Sequence, residues 1–191
     1  MMKKRRGAIF IGAVMVLVGT LLITGCGGSG AGGDTEKGDD GVIPHKVSMK
    51  EIFVQVNDLF DYPAVAMGTP IDEQMLQDLF EISPEKTVDY AGEMSMSMTN
   101  SDVFLGVRAA KGEIESVKTA METKLKDLQA QYEQYPVMGS KERVDTGEVY
   151  VVGDCAFLIV VGVIGDDMGD GPYDFSHDVA KVKKTIHGFA K

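Results

Sequence analysis

Three methionines alternate with two serines in the stretch EMSMSM. In an extended chain Met94, Met96 and Met98 fall on one side and the hydroxyls of Ser95 and Ser97 on the other. Thioethers are soft donors that select Cu(I). The same alternation is what a strand facing a core shows, and core packing is the expected role for all three. Asp166, Asp167, Asp170, Asp174, His177 and Asp178 crowd a glycine-rich loop, an oxygen-rich set of the kind that holds calcium. Met168 stands where an EF-hand loop needs an oxygen ligand, and no glutamate closes the loop, so a solvated acidic loop is expected instead. Lys181, Lys183, Lys184 and Lys191 make the last segment basic. Lysines placed there complement the negative end of a helix, an assignment preferred over contact with lipid headgroups or an anionic wall polymer. Cys155 sits among strand-forming residues in VVGDCAFLIVVGVIG, with no histidine near it in sequence; a buried, inert thiol is expected rather than a nucleophile.

No P-loop, HExxH, G-x-S-x-G or CxxC motif occurs, and no two acids are spaced as an evident acid/base couple. No residue is assigned as catalytic, cofactor-binding or metal-ligating, no cofactor is called for, and the balance leans away from an enzyme.

The other cysteine, Cys26, has a different setting. Lys3, Lys4, Arg5 and Arg6 are followed by an apolar run from Ala8 to Ile23, and no acid precedes Asp34. That is the charged start and apolar middle of a secretory signal. The run is shorter than the ~20 residues a helix needs to cross the hydrocarbon. It ends in Ile23-Thr24-Gly25-Cys26, which resembles the lipobox of bacterial lipoproteins. The resemblance implies diacylglyceryl transfer to the Cys26 sulfur and cleavage between Gly25 and Cys26, with palmitate-type acyl chains as the anchor. Two acyl chains hold a protein on a membrane far better than one. The expected location is the outer leaflet of the cell membrane, facing away from the cytoplasm, and the glycine-rich spacer leans towards a Gram-positive source.

Residues 1–25 therefore read as a signal peptide. Residues 26–41 read as a lipidated cysteine and a flexible linker, rich in Gly, Ser and acids with no apolar side chain larger than Ala31. As a Gly-rich coil this linker spans roughly 20 Å. Residues 42–191 suit one globular domain. Without the signal, 15 basic residues stand against 29 acidic ones, a formal charge of −14. Such a surface is unsuited to nucleic acid, which is bound by displacing counterions with basic residues. With Cys26 lipidated, Cys155 has no disulfide partner.

Along the domain, Ser48-Met49-Lys50-Glu51 is a capping box, and Ile52, Val56, Leu59 and Phe60 follow at helical spacing to about Asp61. PIDEQMLQDLF predicts a second helix, and Ser83-Pro84-Glu85 one more turn. EMSMSM and VFLGVRAA, joined by a turn over Thr99 to Asp102, predict a hairpin. Gly112 to Tyr135 carries Ile114, Val117, Met121, Leu125, Leu128 and Tyr132 as a single stripe of a long helix that stops at Pro136. EVYVV and CAFLIVVGVI, with Gly153-Asp154 between them, predict a second hairpin. Its last strand is apolar on both faces and so belongs in the middle of a sheet. Phe175, Val179, Val182, Ile186 and Phe189 predict a final helix capped by Asp174 or Ser176. The expected fold class is α+β: an antiparallel-biased sheet of about four strands, the long helix across one face, and flanking terminal helices.

DEQMLQDLFEISPEKTVDYAGEMSMSM, DVFLGVRAAKGEIESVKTAMETKLKDLQAQYEQYPV and VDTGEVYVVGDCAFLIVV, together with the lipobox, resemble a family of small bacterial lipoproteins known only as domain of unknown function 4358. The likeness covers most of Val42 to Gly165. It implies location and fold and brings no site residue with it. The function expected is a lipid-anchored cell-surface domain that binds, or is accessory to, an envelope complex, with an envelope protein as partner. The alternatives are a metal- or small-ligand-binding lipoprotein and, less favoured, an enzyme acting on the envelope.

Overall fold

The computed structural model describes residues 41–164 and 173–191. Its first helix, α1 (Met49–Asn57), is started by Ser48, whose Oγ accepts the Glu51 N–H at 3.1 Å, and buries Met49, Ile52, Phe53 and Val56. It stops a turn short of Asp61, where the Asn57 side chain instead accepts the Ala64 N–H at 3.0 Å and turns the chain. A three-residue strand, β1 (Gly68–Pro70), precedes α2 (Glu73–Phe80). Asp72 caps α2 by accepting the Met75 N–H at 2.8 Å, and Leu76 and Phe80 point inward. A 3-10 turn over Pro84–Lys86 leads into β2 (Thr87–Ser95) and then β3 (Val103–Ala109). The long helix is α3 (Ile114–Gln134), followed by a short helix α4 (Ser140–Thr146), the hairpin β4 (Glu148–Val152) and β5 (Cys155–Val160), and α5 (Ser176–His187). Gly153 makes the β4–β5 turn at φ 59°, a conformation that costs glycine little.

The sheet runs β1-β2-β3-β5-β4 and is antiparallel throughout. The α+β class and the pairing into two hairpins are as expected; the leading strand of the first hairpin is Thr87–Ser95 rather than EMSMSM, and the sheet has five strands rather than about four, because Gly68–Pro70 adds an edge. β3 and β5 are buried along their whole length on both faces. On one side Val103, Leu105, Val107, Leu158 and Val160 pack against Leu76 and Phe80 of α2 and Val117, Met121 and Leu128 of α3. On the other, Phe104, Phe157, Ile159 and Val161 pack against Ile52 and Phe53 of α1 and Val179, Val182 and Ile186 of α5. The long helix thus covers one face as its stripe predicts, and the terminal helices cover the other. No helix among the described residues is long and apolar enough to cross a membrane.

The two ends of this sheet differ. At one end Val42 and Lys191 exchange backbone hydrogen bonds at 3.2 and 3.3 Å. Arg108 is buried there, donates to the carbonyls of Ile43, Pro44 and Val47, and pairs with Asp154 at 3.0 Å. The first described residues are therefore fastened where β3 ends. The turn joining β2 to β3 lies at the opposite end, five residues along β3 or about 17 Å away at ~3.4 Å per residue.

Candidate functional site

Beyond Ser95 the chain leaves the sheet and makes a compact turn. Ser95 N–H donates to the Asp102 carbonyl at 2.9 Å, Ser95 Oγ accepts the Ser97 N–H at 3.2 Å, and Asn100 N–H donates to the Ser97 carbonyl at 3.3 Å. The strand therefore runs Thr87–Ser95 and not through EMSMSM. This corrects the expectation for the methionines. Met94 is 8% exposed and joins the core, but Met96 and Met98 are 61% and 75% exposed. Core packing accounts for the first and for neither of the others.

All three nevertheless line one cavity of about 180 Å³ between this turn and α3, whose wall includes Leu128, Tyr132 and Lys124. Among the described residues its lining has no carboxylate, imidazole or thiol. Lys124 also lies 5.5 Å from the centre of the Phe80 ring, and burial pushes its pKa down against the opposing pull of Asp127.

The turn is fixed from three directions. Tyr132 of α3 donates its hydroxyl to the Asn100 carbonyl at 3.0 Å, and burial raises its pKa. Ser101 Oγ donates to the Ser140 carbonyl at 2.9 Å while Ser140 Oγ donates to the Thr99 carbonyl at 3.0 Å, which locks the turn to α4. Asn100 Nδ2 donates to the Ala66 carbonyl at 3.0 Å. Beneath these contacts lies a buried ion pair. Asp102 Oδ1 is 3.1 Å from Arg143 Nε, and Asp102 Oδ2 accepts the Ala66 N–H at 3.1 Å. The Nε–H of Arg143 is committed to the Gly162 carbonyl at 2.8 Å, and Nη1 donates to the Met138 carbonyl at 3.0 Å. Asp102 Oδ1 therefore has a positive charge beside it but no aligned proton, and it accepts no hydrogen bond. Burial raises the Asp102 pKa above its ordinary value, outweighing Arg143 and the donated hydrogen bonds.

This pair joins three segments that each carry an exposed methionine: Met67 beside Ala66, Met96 and Met98 in the turn, and Met138 ahead of α4. Met67 and Met138 are 76% and 73% exposed and adopt left-handed backbone, with φ of 53° and 50°. A left-handed non-glycine residue costs roughly 1–2 kcal/mol, and such strain persists only where the surroundings over-determine it. Here both strained residues adjoin groups hydrogen-bonded to the Asp102–Arg143 pair.

The other candidates part in the structure. Cys155 is buried, donates to Asp154 at 3.3 Å, and has its pKa pushed up to about 12, mainly by burial; it is the inert thiol expected. Of the acidic loop, Asp166, Asp167 and Asp170 lie outside the described residues. Neither Asp174 nor Ser176 is the cap expected for the last helix: Phe175 stands at the N-cap of α5 and no side chain caps it, Asp174 accepting the Ser176 N–H at 2.9 Å from the residue before, and Asp178 accepts the Val163 N–H at 3.1 Å. Among the described residues no three His, Cys, Asp or Glu side chains are grouped to hold a metal ion. The lysines do not make one patch: Lys183 pairs with Glu148 at 2.8 Å and Lys181 with Asp178 at 3.7 Å. Sequence reasoning passes over Ser83 and Lys86, which have the S-x-x-K spacing of a serine–lysine nucleophile pair, but Ser83 Oγ donates to Glu85 at 2.6 Å and Lys86 Nζ to Ser116 at 2.7 Å. Gly25 and Cys26 lie outside the described residues.

Residues 65–161 match the family model described as a domain of unknown function (DUF4358). The chain belongs to this family. The DUF4358 span is narrower than the likeness over Val42 to Gly165. It holds all five strands, α2, α3 and α4, and with them the methionines, the cavity and the Asp102–Arg143 pair; α1 and α5 lie outside it. No curated protein and no solved structure matches the chain.

Proposed function

We propose that this DUF4358 protein is a lipid-anchored, extracytoplasmic binding or accessory domain of the cell envelope, held through Cys26 and engaging an envelope protein with its methionine end. The observation that carries the reading is the placement of that end. Four exposed methionines and a cavity lie opposite the strand ends to which Val42 is fastened. A soluble domain exposes single apolar residues freely, but a cluster rimmed by polar groups marks a contact surface, and methionine suits surfaces that re-pack on partners. The basic start, the apolar run and Ile23-Thr24-Gly25-Cys26 support the anchor. Cys155, buried with its pKa raised, argues against thiol catalysis.

Growth with labelled palmitate tests the anchor: the wild-type chain takes up label and Cys26→Ala does not. Label in Cys26→Ala, or none in the wild type, removes that part of the proposal.

A metal- or small-ligand-binding lipoprotein is the second reading, favoured by the methionine lining of the cavity.

A further inference from the structure

We infer that the cavity lined by Met94, Met96 and Met98 is a binding site for one soft monovalent metal ion, Cu(I) or its redox-inert analogue Ag(I). The inference rests on the proposal above only in taking the methionine end as the working end of the molecule; it needs neither the anchor nor a partner.

Three observations carry it. First, three thioethers line one small cavity, supplied by a strand end and the turn that follows it. The turn keeps the three residues within four positions of one another in the chain, and methionine has three rotatable bonds with which to bring its sulfur to a common point. Second, the hydrophobic effect does not explain the outer two, which are 61% and 75% exposed although the neighbouring core is closed. Third, the remaining donors are neutral or cationic: hydroxyls, the Asn100 and Gln131 carboxamides and the Lys124 amine. Calcium and magnesium need carboxylates, and zinc takes thiolate, imidazole or carboxylate; the described lining supplies none of these. Thioethers select Cu(I), and a monovalent ion asks for less charge compensation from a site that has no anion to give.

The turn that bears these sulfurs is held from beneath by Asp102, Arg143, Ser140 and Tyr132. None of these groups carries a sulfur, so they can hold the turn in place whether or not the ion is bound.

The test uses the full chain in non-ionic detergent, without oxygen, titrated with Cu(I) buffered by a chromogenic competing chelator and separately with Ag(I). The expected result is one ion per chain, with sulfur-only neighbours in the X-ray absorption spectrum. Met96→Leu/Met98→Leu, which changes two exposed side chains of similar volume, loses at least tenfold in affinity while its melting temperature stays unchanged. Met67→Leu/Met138→Leu and Cys155→Ala keep the site. The inference is overturned if the wild type takes up no ion at the working chelator strength. Retention of binding by Met96→Leu/Met98→Leu overturns it as well, as does loss of binding in Cys155→Ala alone. Partner crosslinking in cells is scored independently, so a failure here leaves the envelope proposal standing and a failure there leaves this site standing.

Discussion

Replacing Arg143 with methionine removes the cation beneath the turn while keeping an apolar stem of similar length. Asp102 is left with its carboxylate 4% exposed and Oδ1 already without a donor, and the carbonyls of Gly162 and Met138 lose theirs. Breaking a buried ion pair from one side costs about 3–5 kcal/mol, a large part of the ~5–15 kcal/mol of a typical domain. With a urea slope of about 2 kcal/mol per M, a 4 kcal/mol loss moves the midpoint down by roughly 2 M. Circular dichroism is the readout, since the chain has no tryptophan. The pH dependence gives a second handle. Burial already holds the Asp102 pKa above 3.8 against the lowering effect of Arg143, and the variant removes that effect. The folded variant then keeps a proton that the unfolded chain releases. Stability from that proton is present below the unfolded value and is lost as pH rises through the folded one. The penalty of Arg143→Met is therefore larger at about pH 8 than at about pH 5. A penalty under about 1 kcal/mol, or one that does not change with pH, refutes the account of this pair.

Three further outcomes follow from the packing. A Cβ on Gly162 would run into the ring of Phe175, which is buried and lies 4.9 Å from the Arg143 guanidinium, so Gly162→Ala costs about 1–3 kcal/mol of overpacking and lowers the melting temperature; an unchanged melting point contradicts it. Phe157→Ala opens the face between the sheet and α1, where Phe157 packs beside Phe104 with ring centres 6.3 Å apart, and costs about 3–5 kcal/mol by urea unfolding. Cys155, protonated up to about pH 12, resists iodoacetamide at neutral pH until denaturant is added, and fast native alkylation would place the thiol elsewhere.

Much of the fold is legible because periodicity and capping are local. The stripe of α3, the capping box of α1, the glycine turn between β4 and β5, and the two-faced apolarity of β5 each need only neighbouring residues. What escaped has no local signal. β1 is three residues, one of them proline, and exists because β2 offers it a partner at Gly68↔Ser95. α4, with the polar sequence SKERVDT, is set by Gly139 at φ 73° and by Ser140 bonding to the distant Thr99 and Ser101. The end of β2 differs from the expectation for a related reason. EMSMSM alternates as a strand would, but the serine and asparagine side chains after Glu93 satisfy the backbone within the turn and end the ladder at Ser95. The Asp102–Arg143 pair spans β3 and α4, and neither residue stands out among the charges of the chain until the fold joins them. The methionines were visible as donors; that two of them stay exposed was not.

The most direct test of the envelope proposal is crosslinked co-purification from intact cells, comparing wild type, Cys26→Ala and Met96→Glu/Met98→Glu at matched expression. The account predicts that the wild type brings down one specific envelope protein, and that Cys26→Ala loses it by losing the membrane. Met96→Glu/Met98→Glu loses it while remaining anchored. Recovery of the same protein by all three, or of none by the wild type, contradicts the claim that this domain works at the membrane through its methionine end.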